Sequence, residues 1–154
     1  MGVPTGLQCK AYYNTGTQGT PVWAEADIII NLDVKRQYDT IEGSCRKSGG
    51  LKQYGLGQRD DEITFNICHN NADDVWDFFR SAFEDKDVIH FRVMDGDQTV
   101  VGTDGQEGTY YISGNDETQP LSGNVEDSLT LKPSNNGLTA SDSPIAPVRV
   151  TITS

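Results

Sequence analysis

The sequence predicts a mainly β protein: a β-sandwich or barrel of about seven to eight strands, with one flanking α-helix over about residues 72–84 and a long projecting loop over about 36–59. Three observations predict it. Short segments alternate apolar and polar residues, as half-buried strands do. A single segment carries an apolar stripe at helical spacing. Turn-forming clusters and 16 glycines separate these segments.

Residues 7–13 read as a first strand, closed by the turn signal Asn14-Thr15-Gly16. A second strand spans about 22–34, from Trp23-Ala24-Glu25 through Ile28-Ile29-Ile30 to Leu32, where β-branched residues and tryptophan favour a pleated surface. Residues 36–59 are rich in glycine and serine, and a connection of this length inside a compact domain points to function. Its sparse apolar residues, Ile41, Leu51, Tyr54 and Leu56, suit a projecting hairpin. Ile63, Phe65 and Ile67 alternate with Glu62, Thr64 and Asn66, which places one set on a core and the other in water. The helix follows. Asn71 or Asp73 caps it, and Val75, Phe78, Phe79, Ala82 and Phe83 form one stripe, with Trp76 at its edge, so Val75, Trp76, Phe78, Phe79 and Phe83 are the expected helix-packing residues. Val88–Met94 alternates again, Asp95-Gly96-Asp97 turns, 102–108 reads as a polar loop, and Tyr110–Ile112 and Val125–Lys132 read as strands. The Ser/Asn/Pro-rich stretch 134–147 resembles a linker. Val148, Val150 and Ile152 alternate as a last strand, added to this sheet or to a neighbour's. The expected division is a domain over 1–133 and an extension or added strand over 134–154.

The net charge is −11, which opposes binding to nucleic acid unless the bases cluster. They do cluster. Residues 35–59 contain six bases (Lys35, Arg36, Arg46, Lys47, Lys52 and Arg59) against Asp39 and Glu42, whereas residues 60–127 contain seventeen acids and three bases. A basic arm therefore leaves an acidic body. Such an arm could bind nucleic acid or dock on the acidic surface of another copy, and the second fits better, because the body repels a phosphate backbone and attracts the arm. A contact between two different patches of identical chains closes rings or extends filaments. No apolar run approaches the roughly 18 residues of a membrane helix, and the opening residues have neither the basic nor the apolar region of a signal peptide.

The residues offer no catalytic constellation and no cofactor motif. Cys9, Cys45 and Cys68 are too scattered for a disulfide framework or a zinc site, and free thiols are expected. Cys68 and His69 could form a nucleophilic pair, but neighbours on a strand point to opposite faces. His90 alternates with Phe91 and reads as a surface histidine. Asp95-Gly96-Asp97 departs from a calcium loop, with Thr99 and Gln106 where ligands belong, and reads as a turn, so no metal site is expected. Trp23 and Trp76 read as packing residues, with sugar stacking as the competing role.

Several segments, in order, resemble the major tail tube proteins of long-tailed, siphovirus-type bacteriophages: Gly6-Leu7 with Lys10, Tyr12-Tyr13-Asn14 and Gly16; Trp23 with Glu25; Asn31-Leu32; Glu62-Ile63-Thr64-Phe65; Trp76 with Phe78-Phe79 and Ala82-Phe83; Phe91-Arg92-Val93-Met94-Asp95-Gly96; and Pro120-Leu121 through Val125 and Ser128-Leu129 to Leu131-Lys132-Pro133. The likeness covers about residues 6–133. It implies a structural, non-enzymatic virion protein, assembled in the host bacterial cytoplasm into stacked hexameric rings that form the tail tube. It also implies a conduit with an acidic lumen for genome passage, in which DNA is only a transient, non-specific cargo. The resemblance gives the 35–59 loop the role of reaching an adjacent ring, with Lys35, Arg36, Arg46, Lys47, Lys52, Tyr54 and Arg59 as inter-ring contact candidates, and it implies terminator, tape-measure and distal-tail partners. The competing readings are a carbohydrate-binding β-sandwich module and a related secretion-system tube protein.

Overall fold

The computed structural model describes residues 5–6, 9–43 and 49–153. Among them are eight strands in one antiparallel sheet and one helix: β1 (Lys10–Asn14), β2 (Trp23–Glu25), β3 (Ile29–Glu42), β4 (Tyr54–Cys68), α1 (Asp74–Glu84), β5 (Val88–Met94), β6 (Asp104–Thr118), β7 (Glu126–Pro133) and β8 (Val148–Thr151). The order across the sheet is β2-β1-β5-β6-β7-β4-β3, with β8 paired to β6 off that path.

The sheet is strongly curled. Phe65 on β4 stacks nearly parallel on Phe91 of β5, with ring centroids 5.7 Å apart. Two strands separate them in the order, a spacing of about 14 Å in a flat sheet with strands ~4.8 Å apart. The curl wraps the inward-facing residues into one core, which α1 caps with Val75, Phe79 and Ala82. Phe65, Phe79 and Phe91 are mutually in contact at its centre.

The helix follows its local signals. Asp73 is the N-cap, and its Oδ1 accepts the Val75 N–H at 2.8 Å. Asp74 and Asp77 sit in the first turn, where the helix dipole favours negative charge. At the other end Asp87 N–H reaches the Ala82 carbonyl and Lys86 N–H reaches Phe83, with Lys86 at φ 58, a Schellman closure in which lysine takes the position glycine usually fills.

Three expectations change. The stretch read as one strand over 22–34 is two, β2 and the start of β3, interrupted at 26–28. The projecting hairpin expected within 36–59 forms, because β3 and β4 stay paired out to Glu42 opposite Tyr54. The polar loop expected at 102–108 lies mostly inside β6, a 15-residue strand. The surface histidine is buried: His90 is 2% exposed, because Asn14 of β1 and Glu107 of β6 meet its ring nitrogens and Trp23 of β2 packs edge-on against the imidazole. The final strand β8 pairs with β6 of its own chain, Gly105 opposite Val150, and Thr109 N–H bonds the Ile145 carbonyl of the preceding segment. The start of the expected first strand, residues 7–8, falls outside the described residues.

Candidate assembly surface

The β3–β4 hairpin outlasts the core. Ile67, Phe65 and Ile63 of β4 face inward opposite Ile29, Leu32 and Val34 of β3. The next rungs in the same phase are Arg36 opposite Asp61 and Tyr38 opposite Arg59, so the apolar interior ends there in a polar layer. Asp61 is 1% exposed, and Arg59 Nε donates to its Oδ1 at 2.8 Å. That hydrogen bond raises the Arg59 pKa above its ordinary value. Arg36 Nε donates to Gln106 Oε1, and Gln106 Nε2 donates to the Tyr110 hydroxyl at 3.1 Å. On the opposite face of the hairpin, Lys132 of β7 pairs with Glu62 at 2.7 Å, and the hydrogen bond to Glu62 raises its pKa.

Past this layer the arm is exposed. Cross-strand partners share a face, as do residues two apart, so Tyr38, Leu56 and Tyr54 lie on one side, continuing the core phase after a bulge between Tyr38 and Thr40. They are 48%, 71% and 60% exposed, and Ile41 on the other side and Leu51 near the tip are 60% and 70% exposed. Contiguous exposed apolar residues of this size mark an interaction surface. β3 also ends the sheet order, so one edge of this 14-residue strand has no strand partner among the described residues. A cleft of about 1250 Å³ separates it from the β1, β5 and β6 side, lined in part by Leu32, Val34, Ala11, Val93 and Met94.

Of the basic candidates, Lys35 and Lys52 are exposed and form no ion pair with described residues, whereas Arg36 and Arg59 contact their own chain at the arm's root. Tyr54 lies on the exposed apolar side. Arg46 and Lys47 lie outside the described residues, as does Cys45. On the acidic body, among the described residues, Lys10 pairs with Glu25 and Asp97, Arg80 with Glu84, Arg92 with Glu107, and Arg149 with Asp104.

The other sequence candidates resolve locally. Asp97 accepts hydrogen bonds from the Thr99 N–H and hydroxyl, which lower its pKa, and Asp95 Oδ1 accepts the Asp104 N–H, so the Asp-Gly-Asp element is a braced turn. Arg92 lies 4.2 Å over the Trp23 ring, and the Trp76 indole donates to Asp127, which commits both tryptophans to contacts within the chain. His69 turns toward Asp127 and Glu117. Asp127 and Asp61 were the inward polar residues missed by reading motifs. The signal was available, since Asp127 is in phase with Leu129 and Leu131, and Asp61 with Ile63 and Phe65.

No protein-family model matches the sequence, and no curated protein matches it. Solved structures do. The chain is similar to the SPP1 tail tube determined by solid-state NMR and cryo-EM, with a TM-score of 0.73 and 15% identity over 99% of this chain and 81% of that one. It is similar to a chain in the tail of an empty gene transfer agent particle with C6 symmetry, with a TM-score of 0.72 and 17% identity over 97% and 100%. A chain of an extracellular contractile injection system sheath–tube complex matches at a TM-score of 0.62 and 9% identity over 97% and 93%. At these identities the likeness establishes a shared fold along nearly the whole chain.

Proposed function

We propose that this chain is a tail tube protein of the long-tailed phage type, a structural, non-enzymatic subunit whose working form is a polymer of stacked hexameric rings. The observation that carries this reading is the β3–β4 hairpin, which extends a long strand pair beyond the polar closure of the core and leaves its apolar side chains uncovered on a tail-tube fold. In this reading the open edge and cleft of β3 receive a neighbour within the ring, and the arm with Lys35, Lys52 and Tyr54, together with Arg46 and Lys47, meets the acidic flank of the next ring. Arg36 and Arg59 then brace the arm's root. The acidic body suits a bore through which DNA passes without adhering, since like charges repel. The subunit's location is the virion tail, with the other tail components as partners. The injection-system likeness supports a second reading, a secretion-type tube with the same ring architecture, and it is the weaker match.

Negative-stain microscopy of the purified protein at high concentration tests the proposal. Sixfold rings or hollow rods are expected, and discrete monomers at every concentration would overturn it.

A further inference from the structure

Three side chains from separate parts of the fold converge at the end of the sheet beside α1. His69 lies in the link between β4 and α1, Glu117 is near the end of β6, and Asp127 is near the start of β7. His69 Nδ1 is 3.4 Å from both oxygens of Asp127 and 3.7 Å from Glu117 Oε2, and one ligand atom from each residue lies within 4.8 Å of the others. Each residue is held in place. The bulge between Ile112 and Gly114 shifts the phase of β6 so that Glu117, not Asp116, stands opposite Asp127. Asp127 is 1% exposed, at a position where the alternation of β7 calls for an apolar residue, and the Trp76 Nε1–H donates to its Oδ2 at 2.5 Å. The His69 ring packs against the Trp76 ring with centroids 4.7 Å apart, and its backbone N–H bonds the Val125 carbonyl.

We propose that His69 Nδ1, Asp127 Oδ1 and Glu117 Oε2 form a binding site for one divalent transition-metal ion of the zinc class. Four-coordinate zinc with bonds of about 2.0–2.2 Å places its donor atoms roughly 3.4 Å apart, close to the separations of His69 from its two partners. A neutral imidazole and two carboxylates supply two negative charges, which one divalent ion balances. One nitrogen and two oxygens suit zinc better than calcium, which takes six to eight oxygens. The Trp76 indole occupies the second oxygen of Asp127 and orients the first, the role an outer hydrogen-bond donor plays in metal sites. His69 and Glu117 keep 29% and 31% of their side-chain surface exposed, which leaves a path for the ion and room for a water in the fourth position. The bound ion would tie the ends of β6 and β7 to the β4–α1 link. The site stands on side chains of one chain and is independent of the assembly reading.

Titration of the tag-free, chelator-treated full chain with Zn²⁺ by calorimetry, and with Co²⁺ by visible absorption, tests the site. The expected result is one ion per chain, a raised melting temperature, and a Co²⁺ spectrum of low coordination number. Glu117→Gln and His69→Gln, both at partly exposed positions, should each weaken binding at least about tenfold with the fold retained by circular dichroism. Cys68→Ser should bind as the parent does. Three results would each overturn the proposal: no zinc-dependent signal at millimolar Zn²⁺, which would leave a histidine–carboxylate ion pair; affinity equal to the parent's in either Glu117→Gln or His69→Gln; or binding lost only in Cys68→Ser.

Discussion

His90 shows how a single polar residue can be built into a sheet. Asn14 Oδ1 accepts the N–H groups of Gly16 and Val22 at 2.8 and 2.9 Å, which fixes its amide so that Nδ2 faces His90 Nδ1 at 3.2 Å. His90 Nδ1 is therefore placed to accept, and its Nε2 lies 2.6 Å from Glu107 Oε1. Glu107 also meets Arg92 at 3.2 Å. Burial pushes the Glu107 pKa up, but the His90 hydrogen bond and the Arg92 charge outweigh it, and the net shift is downward. A carboxylate with a lowered folded-state pKa adds stability that is complete above its unfolded value and is lost as the pH falls through the folded value, because the unfolded chain takes up the proton first. Glu107→Gln should therefore melt below the parent near neutral pH, and the gap should narrow as the pH falls below the ordinary glutamate value; a gap that stays constant in a thermal melt series would contradict this linkage. At the centre of the core, Phe79 is fully buried between Phe65, Phe91 and Tyr13. Phe79→Ala should cost about 3–5 kcal/mol by chemical denaturation, the usual range for deleting a buried aromatic ring.

Among the elements, the helix and the inner half of β4 were legible in the sequence because one dominant interaction writes each pattern. Ile63, Phe65 and Ile67 alternate because one face of β4 is buried, and Asp73 announces the helix through its cap. β6 was harder to read, since Gly105 and Gly108 look like loop residues. Gly105 is required by close approach, since a β-carbon there would run into the Val93 carbonyl, and one at Gly108 would sit tightly at 3.2 Å from the Ile145 carbonyl and Pro147. The metal-site residues escaped motif reading because their partners are 48 and 58 positions away from His69 in the chain and meet only through sheet register. The arm was legible as a unit of charge and as a projecting hairpin, but the extent of its strands was not, because its residues lack alternation where neither face is buried. At the element scale the arm's exposed apolar side should drive assembly without supporting the fold. Leu56→Asp should leave the unfolding free energy within about 0.5 kcal/mol of the parent while lowering polymer yield in a sedimentation assay. Loss of folding in that variant would place Leu56 in the core instead.

For the whole molecule, the separation of a basic arm from an acidic body makes association sensitive to ionic strength. Exposed charges are screened over about 8–10 Å at moderate salt, so polymer yield and length should fall as salt rises. Unchanged tubes across a salt series would assign the contact to apolar surface alone. Reversing Lys52 together with Arg46 and Lys47 to glutamate should block stacking and spare the monomer's thermal melt; normal tubes from that variant would remove charge from the contact. The polar closure at Arg36, Gln106, Arg59 and Asp61 has a further consequence. It seals the hydrophobic interior like a bulkhead just before the chain ventures out, so the outboard segment is an exchangeable module. A peptide grafted near Gly49-Gly50 should leave the hull beneath watertight, with the subunit's thermal melt unmoved, even where it stops copies from joining.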